Sequence, residues 1–375
     1  LPSEIVEQYV DGVLSGDVVA CQFVRGAVQR YVEQRCQTQS VDFPYTFDQD
    51  KAERACRFFP ALLKHSIGEW AGQPFHLAPW QQFVLFNMFG WYRQDGTRKI
   101  RKTFISIGRK NGKSTWAAGL AILLALADGE SAAQVYIAAS KVDQAKIIFG
   151  EAKRMVQQSP AINKHSEIFK LNIGFPVNDS YIRPVGSDRP FDGLSPHGVI
   201  FDELHAWNES KREFLNTMVT GSGARRQPMQ LTVPTAGDEK SHIYNEQAEY
   251  VRGVLDGSIQ DPTVFGIIYE LDKEDDIFDE ANWVKANPNI GESLKIEYLR
   301  EQSTKYSQLA NSGPFIRYHA NRCVSSVEHV VTSELWDKNA GELSDWQSAD
   351  SIGVGVDVGG RFDLASIGLV AKWNI

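Results

Sequence analysis

An α/β protein built on a mostly parallel sheet, with helices covering both faces, is the fold this 375-residue sequence predicts. Three observations carry the prediction. From Lys102 onward, short apolar and β-branched runs alternate with longer helical stretches, a pattern that produces parallel strands with covered faces. A glycine-bearing turn rich in cations separates the first of those runs from a helix that is apolar all round. A later apolar run stops abruptly at two acids, Asp202 and Glu203.

Taken in order, residues 1–66 are helix-rich, with Val6, Val10, Val13 and Leu14 recurring at three and four. Pro60 and Gly68 punctuate the exit from this region. Leu77-Ala78-Pro79-Trp80-Gln81 then leads into an apolar helix over 83–89. The spacing predicts a strand at 103–107, a buried helix at 114–127 and a second strand at 135–139. Ser140 is placed to cap the next helix, whose Ala145, Phe149, Ala152 and Val156 share a face. Further strands are expected at 181–185, 198–201, 229–233 and 264–269. Residues 272–345 read as mainly helical, broken at Ala286-Asn287-Pro288. A last strand over 352–356 finishes in Asp357, turns at Gly359-Gly360 and returns over 364–370, like the first hairpin of a new sheet. Four parts result: an N-terminal helical region (1–66), a core (67–271), a helical subdomain or linker (272–345) and the incomplete start of another domain (346–375). There is no internal repeat and no low-complexity tract.

Composition bounds the partners. The length allows two or three ordinary cores. The most apolar stretch, 117–127, is about half what a bilayer span needs, and no membrane role is expected. The start has neither a basic-then-apolar leader nor an initiator Met, and both ends read as fragment boundaries. Cys21, Cys36, Cys56 and Cys323 lack metal-ligand spacing, which suits reduced thiols in a cytoplasm. A net charge of -8 speaks against a basic coat for DNA, yet one local Lys/Arg patch suffices to grip phosphates.

The chemistry concentrates in Gly108-Arg109-Lys110-Asn111-Gly112-Lys113-Ser114, set between a strand and a helix. Glycines let backbone N–H groups turn inward, and with the helix N-terminus they form a nest for phosphates. That assigns 108–115, Thr115 included, to ATP, with Lys113 at the β/γ-phosphates and the Ser114 hydroxyl on Mg2+. The usual pattern has a glycine where Ile107 stands, and Gly108 comes one residue later. The strand–turn–helix context supports the assignment; a glycine turn with a surface lysine is the bland alternative. Arg109 and Lys110 either contact the γ-phosphate or point to solvent. The strand ending at Asp202 puts that carboxylate at the sheet edge where such a loop sits, to hold Mg2+ through water. Glu203 is the candidate general base toward the attacking water. His205 reads as a packed histidine before a catalyst. Thr235, after another strand, is a candidate γ-phosphate sensor coupling hydrolysis to the next segment, or an ordinary turn residue. Arg225, on a Gly/Pro-bounded loop, is a candidate arginine finger acting on a neighbouring subunit, with DNA phosphates or solvent as alternatives. Gln81 is placed to read the adenine edge, beside a Trp80 that packs. Together these features make the core a P-loop NTPase of the class with an additional strand and a catalytic glutamate.

With those residues in hand, the chain closely resembles the large terminase subunits of tailed bacteriophages. The strings that match, in order, are Pro79-Trp80-Gln81, Arg109 to Ser114, the 139–145 segment with Gln144, and Asp192-Gly193-Leu194. Asp202-Glu203-Leu204-His205-Ala206, Thr235-Ala236-Gly237, Lys285-Ala286-Asn287-Pro288 and Asp357 follow. The resemblance covers essentially the whole chain. It implies an ATPase that assembles as a ring, a pentamer, on the portal protein of an empty capsid and drives double-stranded viral DNA inside. It also implies a small terminase subunit as partner, and a C-terminal RNase H-like nuclease that cuts concatemeric DNA with two divalent ions, Mg2+ or Mn2+. Asp357 matches the first nuclease metal ligand, with a strand-end turn former as alternative. Asp363 is a possible helper, and the other acids are expected beyond Ile375. The implied location is the bacterial host cytoplasm, transiently at the procapsid portal, and not the virion. Two other classes compete: a helicase-like remodelling ATPase without nuclease, and a nucleotide-binding assembly module. The first does not need the Asp357 hairpin, and an intact Glu203 argues against the second.

Overall fold

The structure, a computed structural model, describes residues 1–188, 193–309, 311–324, 348–357 and 366–372. Residues Leu1–Ser326 form one compact unit and Val327–Ile375 a second.

The first unit opens with α1 (Pro2–Ser15), started by its N-terminal proline and stopped by Gly16 in the left-handed region. α2 (Gln22–Gln37), β1 (Tyr45–Phe47) and α3 (Gln49–Leu62) follow, the last capped by Asp48, whose side chain accepts from the Lys51 N–H. α4 (Pro79–Gly90) is buried from Trp80 onward, and β2 (Trp91–Arg93) pairs antiparallel with β1. The N-terminal helices are not a separate body. Val6, Tyr9, Val24 and Val28 belong to the same continuous core as Phe83 of α4 and Ile137 of the sheet. An amphipathic helix pair gains about 1.5–3 kcal/mol for each large apolar side chain buried, and the core surface is where that gain lies.

The sheet begins at β3 (Lys102–Ser106), followed by α5 (Lys113–Leu126), apolar from Trp116 onward, β4 (Gln134–Ala139), α6 (Val142–Gln158) and α7 (Pro160–Asn163). β5 (Glu167–Ile168), β6 (Ile173–Phe175), β7 (Ser180–Gly186) and β8 (Gly198–Asp202) come next. α8 (Arg212–Thr220), β9 (Met229–Val233), α9 (His242–Asp256) and β10 (Val264–Ile268) complete it. Strand order is β10-β3-β9-β8-β4-β7-β6-β5, parallel from β10 through β7 and antiparallel at β6 and β5. The parallel sheet and its flanking helices are those expected. The β5–β6 hairpin and the β1–β2 pair are additions, with strands of two or three residues that cannot display a period. The cap expected at Ser140 is corrected: α6 starts after Lys141, and the Ser140 hydroxyl donates to the Gln144 side chain instead, at 2.9 Å. Ser140 lies one residue too early to reach the free N–H groups of the first turn.

After β10 the chain makes a short turn of helix over 280–285, then α10 (Ile296–Ser307) and α11 (Gly313–Tyr318). Trp283, Leu294, Leu299 and Phe315 make a small core of their own. Residues 310 and 325–345 of the expected helical linker lie outside the described residues. In the second unit β11 (Ser351–Asp357) pairs antiparallel with β12 (Ser366–Lys372). Among the described residues no helix is long and apolar enough to cross a membrane.

Candidate active site

The loop 107–112 leaves β3 at the C-terminal edge of the parallel strands and runs into α5. Ile107, standing where a glycine is usual, is fully buried. Gly108 is required for a different reason than turning. Its N–H donates to the Ala286 carbonyl at 3.2 Å, and a Cβ there would lie 2.3 Å from Asn287 Oδ1. Lys110 (φ 69°) and Gly112 (φ 73°) are both left-handed. Left-handed residues in such a turn are what bring successive backbone N–H groups round one concavity, ahead of the positive end of α5.

β9 lies between β3 and β8, so the loop strand and the acid strand are separated by one strand. Asp202 pairs in register with Val233, which carries Thr235 to the same edge. Here the expected groups meet. The Lys113 amine donates to the Thr235 hydroxyl and stands 3.5 Å from Glu203 Oε1. Glu203 is left-handed (φ 47°), a conformation that costs a non-glycine residue about 1–3 kcal/mol and persists only where the surroundings enforce it. β8 on one side and the turn 204–206 on the other fix it, and Trp207 Nε1 donates to the Asp202 carbonyl at 3.1 Å.

Burial, and then the neighbouring Glu203 carboxylate, push Asp202 up to about 7. Burial also opposes ionisation of Glu203, but the Lys113 amine, with His205 and Arg109 behind it, outweighs burial and holds that carboxyl below the ordinary glutamate value. The adjacent acids are thus driven apart, the arrangement that assigns different tasks to two carboxyls. Asp202 Oδ1 is buried without a hydrogen-bond partner among the described residues. A buried, unsatisfied carboxylate oxygen is costly unless a cation or water meets it, and it fits a divalent ion. His205 Nδ1 is 3.0 Å from Glu203 Oε2, off hydrogen-bond direction, and burial pushes this histidine down to about 4.

The other candidates divide. Ser114 and Thr115, half-buried, occupy the first turn of α5, and Lys110 is exposed. The Arg109 guanidinium lies over the Tyr318 ring at 3.5 Å. Asn111 turns its side chain away from the concavity: Nδ2 donates to Gly108 O and to Asn287 Oδ1, and Oδ1 accepts from Asn289 N. Gln81 caps its own helix, its Oε1 accepting from Ala78 N at 2.9 Å, and Trp80 Nε1 donates to Asn289 Oδ1 at 2.7 Å. Arg225, the candidate finger toward a neighbouring subunit, lies away from this chain's own site. Its guanidinium donates to Ser195 O and Ala132 O and pairs with Glu130 at 3.1 Å. Those partners precede β8 and β4, on the opposite sheet edge, roughly 16 Å away by the rise of a five-residue strand. Asp357 is the last residue of β11, in register with Ser366. Asp363 and Asp192 lie outside the described residues. Sequence reasoning passed over Asn289, Arg317, Tyr318 and Asn321. Arg317 Nε donates to Ala236 O, and Asn321 Oδ1 accepts from Ala236 N, both beside Thr235. The asparagines flanking Pro288 in an otherwise helical stretch were the one signal pointing there.

A parallel sheet with this loop, this interposed strand and this acid pair defines a P-loop nucleotide hydrolase fold. A family model for the ATPase domain of the terminase large subunit matches residues 79–253, and one for its endonuclease domain matches 258–374. The chain belongs to the terminase large subunit family. It is 26% identical over 331 residues to the terminase large subunit of Enterobacteria phage HK97, covering 84% of this chain and 62% of that one. The terminase large subunit of Lactococcus phage p2 is 21% identical over 92% of this chain and 65% of its own length. Protein YmfN of Escherichia coli K12 is 40% identical over 118 residues, which are 31% of this chain and 25% of YmfN. The crystal structure of the HK97 large terminase superposes with a TM-score of 0.64 at 23% identity, covering 86% of this chain and 65% of that one. The chain therefore spans a little under two thirds of the phage relatives it matches. The endonuclease match begins ahead of β10, a strand hydrogen-bonded into the first unit's sheet beside β3.

Proposed function

We propose that this chain hydrolyses ATP to drive double-stranded viral DNA into a procapsid, and that its 258–374 segment belongs to a metal-dependent endonuclease that cuts concatemeric DNA. The observation that carries the ATPase reading is the convergence of Lys113, Thr235, Glu203 and the unsatisfied Asp202 at one strand edge. The loop amides and Lys113 bind and orient the triphosphate. Ser114 and Asp202 would hold Mg2+, which when bound screens the phosphate charge and so supplies electrostatic assistance to phosphoryl transfer. Glu203, kept ionised by Lys113, accepts the proton of the attacking water. Thr235, sharing the Lys113 amine, registers whether a γ-phosphate competes for that amine. The adenine is placed on the Gln81 side of α4.

On this reading the chain works in the bacterial host cytoplasm and, transiently, at the portal of the procapsid, with portal protein, small terminase subunit and a homo-oligomeric, pentameric ring as partners. Asp357 is the first candidate nuclease ligand, for Mg2+ or Mn2+. The endonuclease match speaks for this reading over a remodelling ATPase that never cuts.

The deciding variant is Glu203→Gln. ATP affinity should persist while kcat falls by at least about 100-fold, the low end of what a positioned base contributes. Turnover unchanged in a folded Glu203→Gln chain would remove Glu203 from the mechanism.

A further inference from the structure

The phosphate loop is held from outside by a segment that follows the sheet. Every residue from Gly108 to Asn111 has a partner there. Gly108 N–H donates to Ala286 O, and Arg109 N–H donates to Tyr318 O at 2.9 Å. The Lys110 carbonyl accepts from Ser293 Oγ at 2.8 Å. Asn111 is gripped twice: Nδ2 donates to Asn287 Oδ1 at 2.9 Å, and Oδ1 accepts from Asn289 N at 3.1 Å. Asn289 Nδ2 donates to the Asn111 carbonyl at 2.9 Å, next to Gly112. Asn111, Asn287 and Asn289 are all buried, so these amides have no water to fall back on, and each lost bond costs more than an exposed one. Asn287 is anchored in turn, its Nδ2 donating to Trp283 O and His319 O. Asn289 Oδ1 accepts from Trp80 Nε1, which ties the same residue to the start of α4.

We propose that Asn289 and Asn287 are positioning residues of the nucleotide site. Acting through Asn111, they hold the loop in its phosphate-binding shape and lock it to the helix end that carries Trp80 and Gln81. The inference rests on the nucleotide reading above, but it adds that affinity for the phosphates is set by residues 286–293 as well as by the loop. An unsupported loop of glycine and left-handed residues must be ordered at each binding event, and that cost is subtracted from affinity. Lys113 and Glu203 belong to α5 and the end of β8, so their relation does not depend on the asparagines. Loss of the asparagine contacts therefore acts on binding before chemistry.

The test uses the chain as it stands, with ATP as probe. KM and kcat are measured for the unaltered chain, for Asn289→Ala and for Ser293→Ala, which removes only the exposed bond to Lys110. Asn289→Ala should raise KM at least about fivefold with kcat within about twofold, whereas general loosening of the fold would lower kcat and the melting temperature together. Ser293→Ala should raise KM about twofold. If Asn289→Ala does not fold, Ser293→Ala decides alone. A KM equal to that of the unaltered chain in whichever of these variants folds overturns the proposal. An unaltered chain that neither binds nor turns over ATP sinks the nucleotide reading itself, and the inference with it, and is distinguished by that control.

Discussion

Glu203 combines a left-handed backbone with a carboxylate held ionised against burial. Neither property is visible in sequence; what could be read was its place, one residue past an apolar strand. Asp202 and Thr235 were legible for the same reason, since strand ends in a parallel sheet share one edge, and Lys113 because the loop before α5 leaves β3 at that edge. Gly108 was legible as a glycine but not in its purpose. Its conformation is ordinary, and its lack of a side chain serves the approach of Asn287. Gly108→Ala should therefore destabilise the chain by about 1–3 kcal/mol, as overpacking does, in urea unfolding. Gly223→Ala, with open space around that position and no left-handed backbone, should leave the midpoint unmoved. Equal effects of the two changes would remove the packing account of Gly108.

Among elements, the long strands and the apolar α5 declared themselves by period and length, while two- and three-residue strands did not. The loop carrying Arg225 was recognised as a basic loop, yet which sheet edge it occupies depends on strand direction, a tertiary fact. With its guanidinium committed to Glu130 and backbone carbonyls, Arg225→Ala should cost about 2–3 kcal/mol of stability, as loss of a charged hydrogen-bond donor does. Turnover per folded molecule should stay within a few fold, measured beside thermal unfolding; an arginine finger would instead lose about 1000-fold or more. Two buried histidines, one beyond β8 and one in the linker, carry a pH signature. Burial, with Arg109 nearby, pushes His319 down to about 4, and burial does the same to His205. The unfolded chain takes up those protons near pH 6.5 while the folded chain does not, so stability is complete above about 6.5 and declines as pH falls toward 4. In denaturant titrations at pH 7.5 and 5.0, His319→Leu should narrow the difference between the two midpoints. A difference as wide as before would mean that His319 is not held neutral.

For the whole molecule, the first unit unites regions that sequence punctuation divided. Pro60 sits inside α3 and Gly68 in the turn beyond it, and the apolar faces of α1 and α2 join the core of α4 and the sheet. The family's endonuclease match begins upstream of β10, so the chain changes assignment inside a structural unit whose linker also grips the phosphate loop. Chelation of divalent cations should abolish ATP turnover without altering far-UV circular dichroism, because the acids at the sheet edge are held by the fold. Turnover that survives chelation would contradict the role given to Asp202. The most direct test is a structure of the chain with magnesium and a non-hydrolysable ATP analogue. The γ-phosphate is expected within about 3 Å of Lys113 Nζ, with the metal between the Ser114 hydroxyl and Asp202. A triphosphate bound elsewhere, with Lys113 still paired to Thr235 and Glu203, would contradict it.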